Sequence, residues 1–375
     1  MAGKPKANGE RRLRALARQH GTPLLAISRS ALRAQVQRFR SALPRVEPFY
    51  AVKANSHPEV IKVMVSEGVG FDVASQAEME AALAAGARPG RIIFANTIKP
   101  AAAIAAAAER GVDLMTFDSE YELDKIAEHA PKARLLVRIK VPNVGSVVEL
   151  SLKFGVLPAD AIDMLIKAHR LGLVPTGVSF HVGSQCLRVE NYIDALEISA
   201  IIFRDARLKQ LPLEVLDIGG GFAIPQSPKD NDPFDETASV VSRELERLFD
   251  PNVRVIAEPG RFLAGPAATL VMRVIGKAIR ENKHWYYLDD GLYGGLNGLV
   301  FDHAKYDFQV LKSGPTRLST LAGPTCDSFD IIARGEELPE LDIGDVVYVE
   351  SAGAYTVASA SSFNGFAPPK VVMVA

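Results

Sequence analysis

Lys53 closes the apolar run Phe49-Tyr50-Ala51-Val52 in a stretch that reads PFYAVKAN. Lysine is seldom buried unless it is paired or used. Two readings compete here: an ion pair with Asp72 or Glu258, or an amine whose pKa falls in a desolvated pocket so that it forms a Schiff base with a carbonyl. A second stretch, Leu216-Asp217-Ile218-Gly219-Gly220-Gly221-Phe222, ends in three glycines whose backbone N–H groups and tolerance of positive φ suit a phosphate. The same run also reads as a tight strand-to-helix turn. It is neither the GxGxxG fingerprint nor a run ending in GK[ST], which argues against NAD and nucleoside triphosphates. A third stretch, Glu258-Pro259-Gly260-Arg261, adds a glycine and an arginine that would complete an anion site. An imine-forming lysine, a phosphate cradle and a carboxylate together suggest pyridoxal phosphate, with Glu258 holding the pyridinium proton. His181, in SFHVGS, is as readily a structural histidine; with that ring in place, stacking on its face becomes the better reading.

Alternating elements must position these residues. Between residues 47 and 260 the pattern repeats as a β-branched run, a polar or glycine turn and a helix-period stretch. The strand candidates are FYAVKA, GFDVAS, RIIFAN, LMTFDS, RLLVRIKV, TGVSFHV, LEVLDIG and VRVIAE. Between them lie segments such as HPEVIKVMVSEG, and Ser75-Gln76-Ala77-Glu78 has the spacing of a capping box. Eight units is the number at which a parallel sheet closes into a (β/α)8 TIM-type barrel; a doubly wound open sheet is the runner-up. Closure demands that functional groups cluster at the carboxyl ends of the strands. Lys53, Asp72, Asn96, Asp118, Arg138, His181, Gly219 and Glu258 all fall there. After about residue 263 the pattern changes to strands without long helices, as in HWYYLDDGLYGG, GDVVYVES, AYTVASA and KVVMVA, with FDHAKYDF and PTCDSFDIIARGEELPE as turn-rich inserts. The expected organisation is an N-terminal segment 1–24 packing on the β domain, a barrel over 25–262 and a β-rich domain over 263–375.

The bulk numbers narrow the partners. Forty-three Lys and Arg against 44 Asp and Glu give no polyelectrolyte signal for nucleic acid or an anionic membrane, so a small-molecule ligand is expected. Two cysteines, Cys186 and Cys326, are too few for a disulfide framework or a metal cluster and suit a reducing compartment. The basic start lacks the apolar core of a secretory signal, and Arg12 to Gln19 reads as a short solvated helix. The alanine-rich run 101–108 is too short to span a bilayer. A cytoplasmic protein is the expectation.

The ordered motifs PFYAVKAN, GFDVAS, MTFDSE, LKFG, GVSFHVGS, LDIGGGF, IAEPGR, DDGLYG, FDHA, GPTCDSFD and GAYTVASASSFNGF resemble the fold III pyridoxal-phosphate decarboxylases, and among them the eukaryotic-type ornithine decarboxylases. The resemblance covers nearly the whole chain. It implies an alanine racemase-like barrel plus β domain, in a head-to-tail homodimer with active sites shared at the interface. By position, Lys53 matches the Schiff-base lysine, His181 the ring-stacking histidine and Glu258 the partner of the pyridine nitrogen. Asp72 and Arg138 match residues lining the cofactor site, and Ser184, Gly219, Gly220, Gly221, Gly260, Arg261 and Tyr355 match the phosphate cradle. Cys326 matches a cysteine that reaches in from the other subunit to protonate the α-carbon. Asp302 and Asp327 match the acidic pair for a distal substrate ammonium, and Lys153 and Asp330 a salt bridge across the dimer.

The residues themselves agree with these implied roles. Cys326 would otherwise be a buried packing cysteine. Two carboxylates suit a second ammonium, since an unpaired buried charge costs several kcal/mol. An arginine in place of Glu258 would favour racemisation, and its absence argues for decarboxylation. Two departures stand out: Phe222-Ala223-Ile224-Pro225 replaces a common Phe-Pro-Gly, and Phe301 stands where a tyrosine often precedes the distal aspartate, which leaves ornithine against lysine open. The expected activity is decarboxylation of L-ornithine to putrescine, extending to L-lysine. The rivals are a decarboxylase of arginine, a carboxylated polyamine or a siderophore precursor, and a catalytically inactive regulator of the antizyme-inhibitor kind.

Overall fold

Residues 7–148, 152–225 and 230–375 are described by the structure, a computed structural model. The first six residues of the expected 1–24 segment lie outside them. Two compact units form, one from Leu32–Ile224 with Asp232–Leu263, the other chiefly from the N-terminal segment through Ala31 and from Ala264–Ala375.

The first unit is a closed barrel of eight parallel strands: Val46–Ala51, Gly70–Val73, Ile92–Phe94, Leu114–Phe117, Arg134–Arg138, Val174–Ser179, Val215–Asp217 and Arg254–Ala257. Each pairs with the next in chain order, and the last returns to the first through Val255 opposite Val46 and Ala257 opposite Pro48. That last ladder rules out the open sheet. Phe49, Ile93, Leu114, Leu136, Val215 and Ile256, from six strands, form one buried cluster. The strands are short apolar runs because both faces are covered, as parallel sheets require. Helices enter abruptly. After Gly70–Val73, the Ser75 hydroxyl accepts from Glu78 N at 3.2 Å, and the Glu78 carboxylate accepts from Ala74 N at 2.7 Å. The Ser75 half of the anticipated capping box forms, while the return bond from Glu78 reaches the residue before the N-cap; together they fix the turn that follows Asp72.

Lys99 was not anticipated as a core residue, yet its side chain is wholly buried after the third barrel strand. Its ammonium donates to the carbonyls of Asn96 at 2.9 Å and Thr116 at 2.7 Å, and lies 3.1 Å from Glu122 Oε1. Burial, only partly offset by Glu122, brings its pKa down to about 8. Removing one partner of such a group strands the others, so Lys99→Met is expected to cost roughly 3 kcal/mol or more of stability in urea unfolding. The difference should also depend on pH. The unfolded chain holds this proton up to about 10.4 and the folded chain only to about 8, so the stabilising contribution of Lys99 grows as pH rises through that window.

The second unit is an eight-stranded, mostly antiparallel sheet centred on the long strand Ala268–Arg280. The expected boundary between residues 24 and 25 cuts the strand Leu24–Ser28, which instead pairs whole in this sheet, antiparallel with Ala268–Val271 and parallel with Lys370–Val374. The reason is packing: Leu24 and Ala26 complete a buried cluster with Ala17, Val271, Leu311, Val346 and Tyr348, against which Leu13 and Leu16 of the helix Ala7–His20 also pack. Two further expectations are corrected. AYTVASA forms no strand, because Tyr355 and nearby Ser351 sit at φ +59° and +54°, a left-handed backbone that breaks an extended run. The stretch read as a turn-rich insert contains the strand Ile331–Pro339, which pairs with Thr316–Ala322 at the end of the sheet.

Candidate active site

The carboxyl ends of the barrel strands bring the expected residues together. Lys53 lies in a 3-10 turn, Val52–Ala54, directly after the first strand. The buried Asn55 pins that turn: its N–H bonds Val52 O at 3.0 Å, its carbonyl accepts from Tyr50 Oη at 2.9 Å, and its side chain accepts from His57 N at 3.1 Å. The Lys53 ammonium is 3.0 Å from Asp72 Oδ2, whose carboxylate is almost fully buried, while the lysine side chain is 43% exposed. The ion pair weighed against the imine is therefore present. The two readings are compatible, because a carboxylate this close holds the amine at the mouth.

Glu258 follows the last strand and is 7% exposed. Its Oε1 is buried and has no hydrogen-bond partner. Burial first, and then the charges of Asp217 and Asp72, push its pKa well above the usual range against the pull of Lys53 and Arg138. His181 Nδ1 accepts from Gly183 N at 3.0 Å, which leaves the ring proton on Nε2. Burial and the cations Arg138 and Lys53 push the pKa of this histidine well down, so the ring is neutral. Its Nε2 lies 3.1 Å from where a Cβ on Gly220 would stand, beside the glycine run. Arg138 ends its strand with the guanidinium 5.1 Å from the Phe154 ring centre.

The glycine run is shaped by its carbonyls. Gly219 O accepts from Glu258 N at 2.7 Å, Gly220 O from Tyr192 Oη at 3.0 Å, and Gly221 O from Cys186 N at 2.9 Å. In a trans peptide the N–H points opposite to the preceding carbonyl, so the N–H groups of Gly220 and Gly221 turn away from these partners. Side chains are excluded: a Cβ on Gly219 (φ +63°) would stand 2.2 Å from Phe180 O, and one on Gly221 (φ +98°) 2.3 Å from Gly183 O. Gly221→Ala is expected to cost roughly 1–3 kcal/mol in backbone strain. It should also weaken binding of pyridoxal phosphate, as equilibrium dialysis would show. Gly260 packs on Ala51 and Ala54 beside the Lys53 turn, Arg261 opens the short helix Arg261–Ala264, and Ser184 opens the small strand Ser184–Cys186.

One residue of this cluster went unassigned in the sequence. Asp217 is fully buried, with Oδ2 accepting from Ser179 Oγ and Oδ1 from Gly219 N, each at 2.9 Å. An aspartate inside the apolar LEVLDIG strand was its only signal. An amine, an acceptor for a ring N–H, a neutral imidazole and a side-chain-free glycine turn fit a pyridine ring carrying an aldehyde and a phosphate.

The pyridoxal binding domain of the pyridoxal-dependent decarboxylases matches residues 29–265. An ornithine decarboxylase of Schizosaccharomyces pombe is 43% identical over 90% of this chain and 80% of its own length. The chain belongs to the pyridoxal-dependent decarboxylases. A lysine/ornithine decarboxylase from Vibrio vulnificus, solved with cadaverine, superposes at a TM-score of 0.93 with 36% identity, covering 98% of this chain and 99% of that one. Antizyme inhibitor 2 of Xenopus laevis is 41% identical over 88% of this chain and 76% of its own length, so overall similarity does not sort the family by its names.

Apart from Lys153, the remaining expected residues of this decarboxylase lie in the β unit, where three motif segments are tied together. Buried Asn297 donates to Gly294 O at 2.6 Å and Thr356 O at 2.7 Å and accepts from Ser359 Oγ at 2.6 Å, which fixes the segment bearing Tyr355. Asp330 accepts from Leu292 N at 2.8 Å and from the Thr325 hydroxyl at 2.7 Å. It is buried and braces its own loop. That loop presents Cys326 exposed, with its N–H bonded to Asn364 Oδ1 at 3.1 Å. Asp327 accepts from Tyr293 Oη and, at 3.0 Å, from Phe329 N; these bonds hold its pKa below the usual range, and it is ionised. Asp302 caps the short helix Gly298–Phe301. Lys153 lies over the Phe154 ring at 5.0 Å.

Proposed function

We infer that this pyridoxal-phosphate-dependent decarboxylase acts on L-ornithine, giving putrescine and carbon dioxide, and also accepts L-lysine. The observation that carries the cofactor chemistry is the buried, partnerless oxygen of Glu258 beside the Lys53–Asp72 pair. Bound pyridoxal phosphate supplies an electron sink for the pair of electrons left when the α-carboxylate departs. Lys53 supplies the amine that holds the cofactor's carbonyl carbon and yields to the substrate. Asp72 keeps that amine oriented, Glu258 takes the ring-nitrogen side, and neutral His181 offers a flat face. Arg138 and Ser184 line the cofactor, and the glycines 219–221 with Gly260, Arg261 and Tyr355 take the phosphate. Cys326 returns a proton to the α-carbon, and Asp302 and Asp327 receive the distal ammonium. The ionised state of Asp327 supports that role, since a cation requires a charged partner.

The names of its relatives, an ornithine decarboxylase and a lysine/ornithine decarboxylase, support the diamine substrates. Lys53, Glu258, Arg261 and Cys326 are all present, which supports a working enzyme over an inactive regulator. The working form is a cytoplasmic homodimer with shared sites. Exposed Phe301, Phe329, Phe363 and Phe366 gather beside Cys326 and Asp327, where Phe301, Phe329 and Phe363 line a cavity of about 530 Å3, and a patch of this kind calls for cover. Among the described residues no helix is long and apolar enough to cross a membrane.

A substrate panel followed by carbon dioxide release tests the reading: ornithine first, lysine measurable and arginine slow. Arginine far above ornithine would refute it. Asp327→Asn is expected to raise KM for ornithine far more than it lowers kcat, with kcat/KM falling roughly 10²-fold or more because a charge-paired contact is lost. Sedimentation equilibrium that finds only monomer under assay conditions would rule out the shared site.

A further inference from the structure

Two acidic side chains meet behind the candidate ring-nitrogen position, and the assigned chemistry uses only one. Val215–Asp217 and Arg254–Ala257 are neighbouring parallel strands, and Gly219 O accepts from Glu258 N, which draws the ends of the two strands together. Asp217 is fully buried and Glu258 is 7% exposed. Their environments differ. Both Asp217 oxygens accept fixed bonds, from Ser179 Oγ and from Gly219 N, which favour its ionised form. Glu258 has a buried oxygen with no partner, an arrangement that disfavours its charge.

We propose that Asp217 is a positioning residue for Glu258: the two carboxyls share one proton, which Glu258 carries and holds toward Asp217, leaving Glu258 Oε1 aimed at the ring-nitrogen position. The proton stays within the pair because two adjacent buried carboxylates cannot both ionise cheaply. The other charged groups acting on Glu258 are Asp72, which strengthens the preference, and Lys53 and Arg138, which oppose it. Asp217 is itself driven toward protonation by burial, to about 6, against the hydrogen bonds from Gly219, Glu258 and Ser179. A protonated ring nitrogen at Oε1 would bring the positive charge that lets Glu258 ionise and release the shared proton to solvent. Glu258 thus stays uncharged until the cofactor arrives. This rests on the assignment of Glu258 to the ring nitrogen.

The test is infrared difference spectroscopy of the cofactor-free protein at neutral pH, wild type against Glu258→Gln. A protonated-carboxyl C=O band is expected in the wild type, and in Asp217→Asn it is expected to disappear at lower pH, because the amide removes the negative neighbour across the pair while the burial of Glu258 remains. Ser179→Ala, which removes one bond to the Asp217 carboxylate, is expected to move the loss of the band to higher pH, an effect that mere packing would not produce. A wild type without the band, or a midpoint unmoved in Asp217→Asn or in Ser179→Ala, overturns the proposal. Adding pyridoxal phosphate separates the two ideas. A visible cofactor band without any prior carboxyl band sinks the shared proton alone. A carboxyl band that the bound cofactor leaves intact sinks the assignment of Glu258.

Discussion

Lys53→Ala is expected to stop carbon dioxide release, lowering kcat by roughly 10³-fold or more, because the covalent anchor and a proton-transfer group are lost together. The fold should survive. The lysine side chain is 43% exposed and its partner Asp72 sits in an already charged cluster, so the substitution removes no core volume. Far-UV circular dichroism should therefore match the wild type while the visible absorption of the bound cofactor is lost. A variant that folded, still bound the cofactor covalently and still turned over would place the reactive amine elsewhere. Among the described residues the only buried lysine is Lys99, whose ammonium is engaged by carbonyls and Glu122.

Glu258→Gln should be the next most damaging change. The amide keeps the size of the side chain but cannot serve as the anionic partner of a ring N–H, so the electron sink weakens. Loss of one such preorganised electrostatic contact is expected to lower kcat by roughly 10²–10³-fold with a smaller change in KM. Stability should rise or stay level, since the substitution removes a carboxyl that folding forces away from its preferred ionised state. The sign follows from the shift. The folded-state pKa is raised, so the wild type loses stability as pH climbs from the ordinary glutamate value toward the raised one, and Glu258→Gln escapes that loss. Urea unfolding of the cofactor-free proteins across that range measures it. A stability gap that failed to widen with pH would contradict the buried, proton-holding state of Glu258.

The barrel was legible because its grammar is local. Each apolar run such as RIIFAN or LMTFDS is short, bounded and followed by a helix period, and the eight runs became the eight strands. Their carboxyl-end residues then had to converge, which is why Lys53, Asp72, His181 and Glu258 could be grouped before any coordinates. The second unit was harder to read. Ile331–Pro339 is half-covered at the end of a sheet, with exposed positions at Arg334, Gly335 and Glu337 to either side of Glu336, so its sequence looks like a turn. AYTVASA has strand-forming residues, but its left-handed Tyr355 is set by the ties of Asn297 to Thr356 and Ser359, contacts that no local pattern announces. Leu24–Ser28 straddles the expected domain boundary, and only its strand partners assign it. Asp217 was hidden for the same reason, since its significance lies in Ser179 and Glu258 on neighbouring strands. The resemblance supplied roles for Cys326, Asp302 and Asp327 that the residue types alone left open.

The most direct measurement of the central claim is release of labelled carbon dioxide from carboxyl-labelled L-ornithine and L-lysine by the purified, cofactor-loaded protein, with the amine product identified. The account predicts putrescine from ornithine in step with the gas, slower cadaverine from lysine, and neither from Lys53→Ala. Cofactor-loaded wild type that releases label from neither amino acid, or a Lys53→Ala variant that releases it at the wild-type rate, would contradict it.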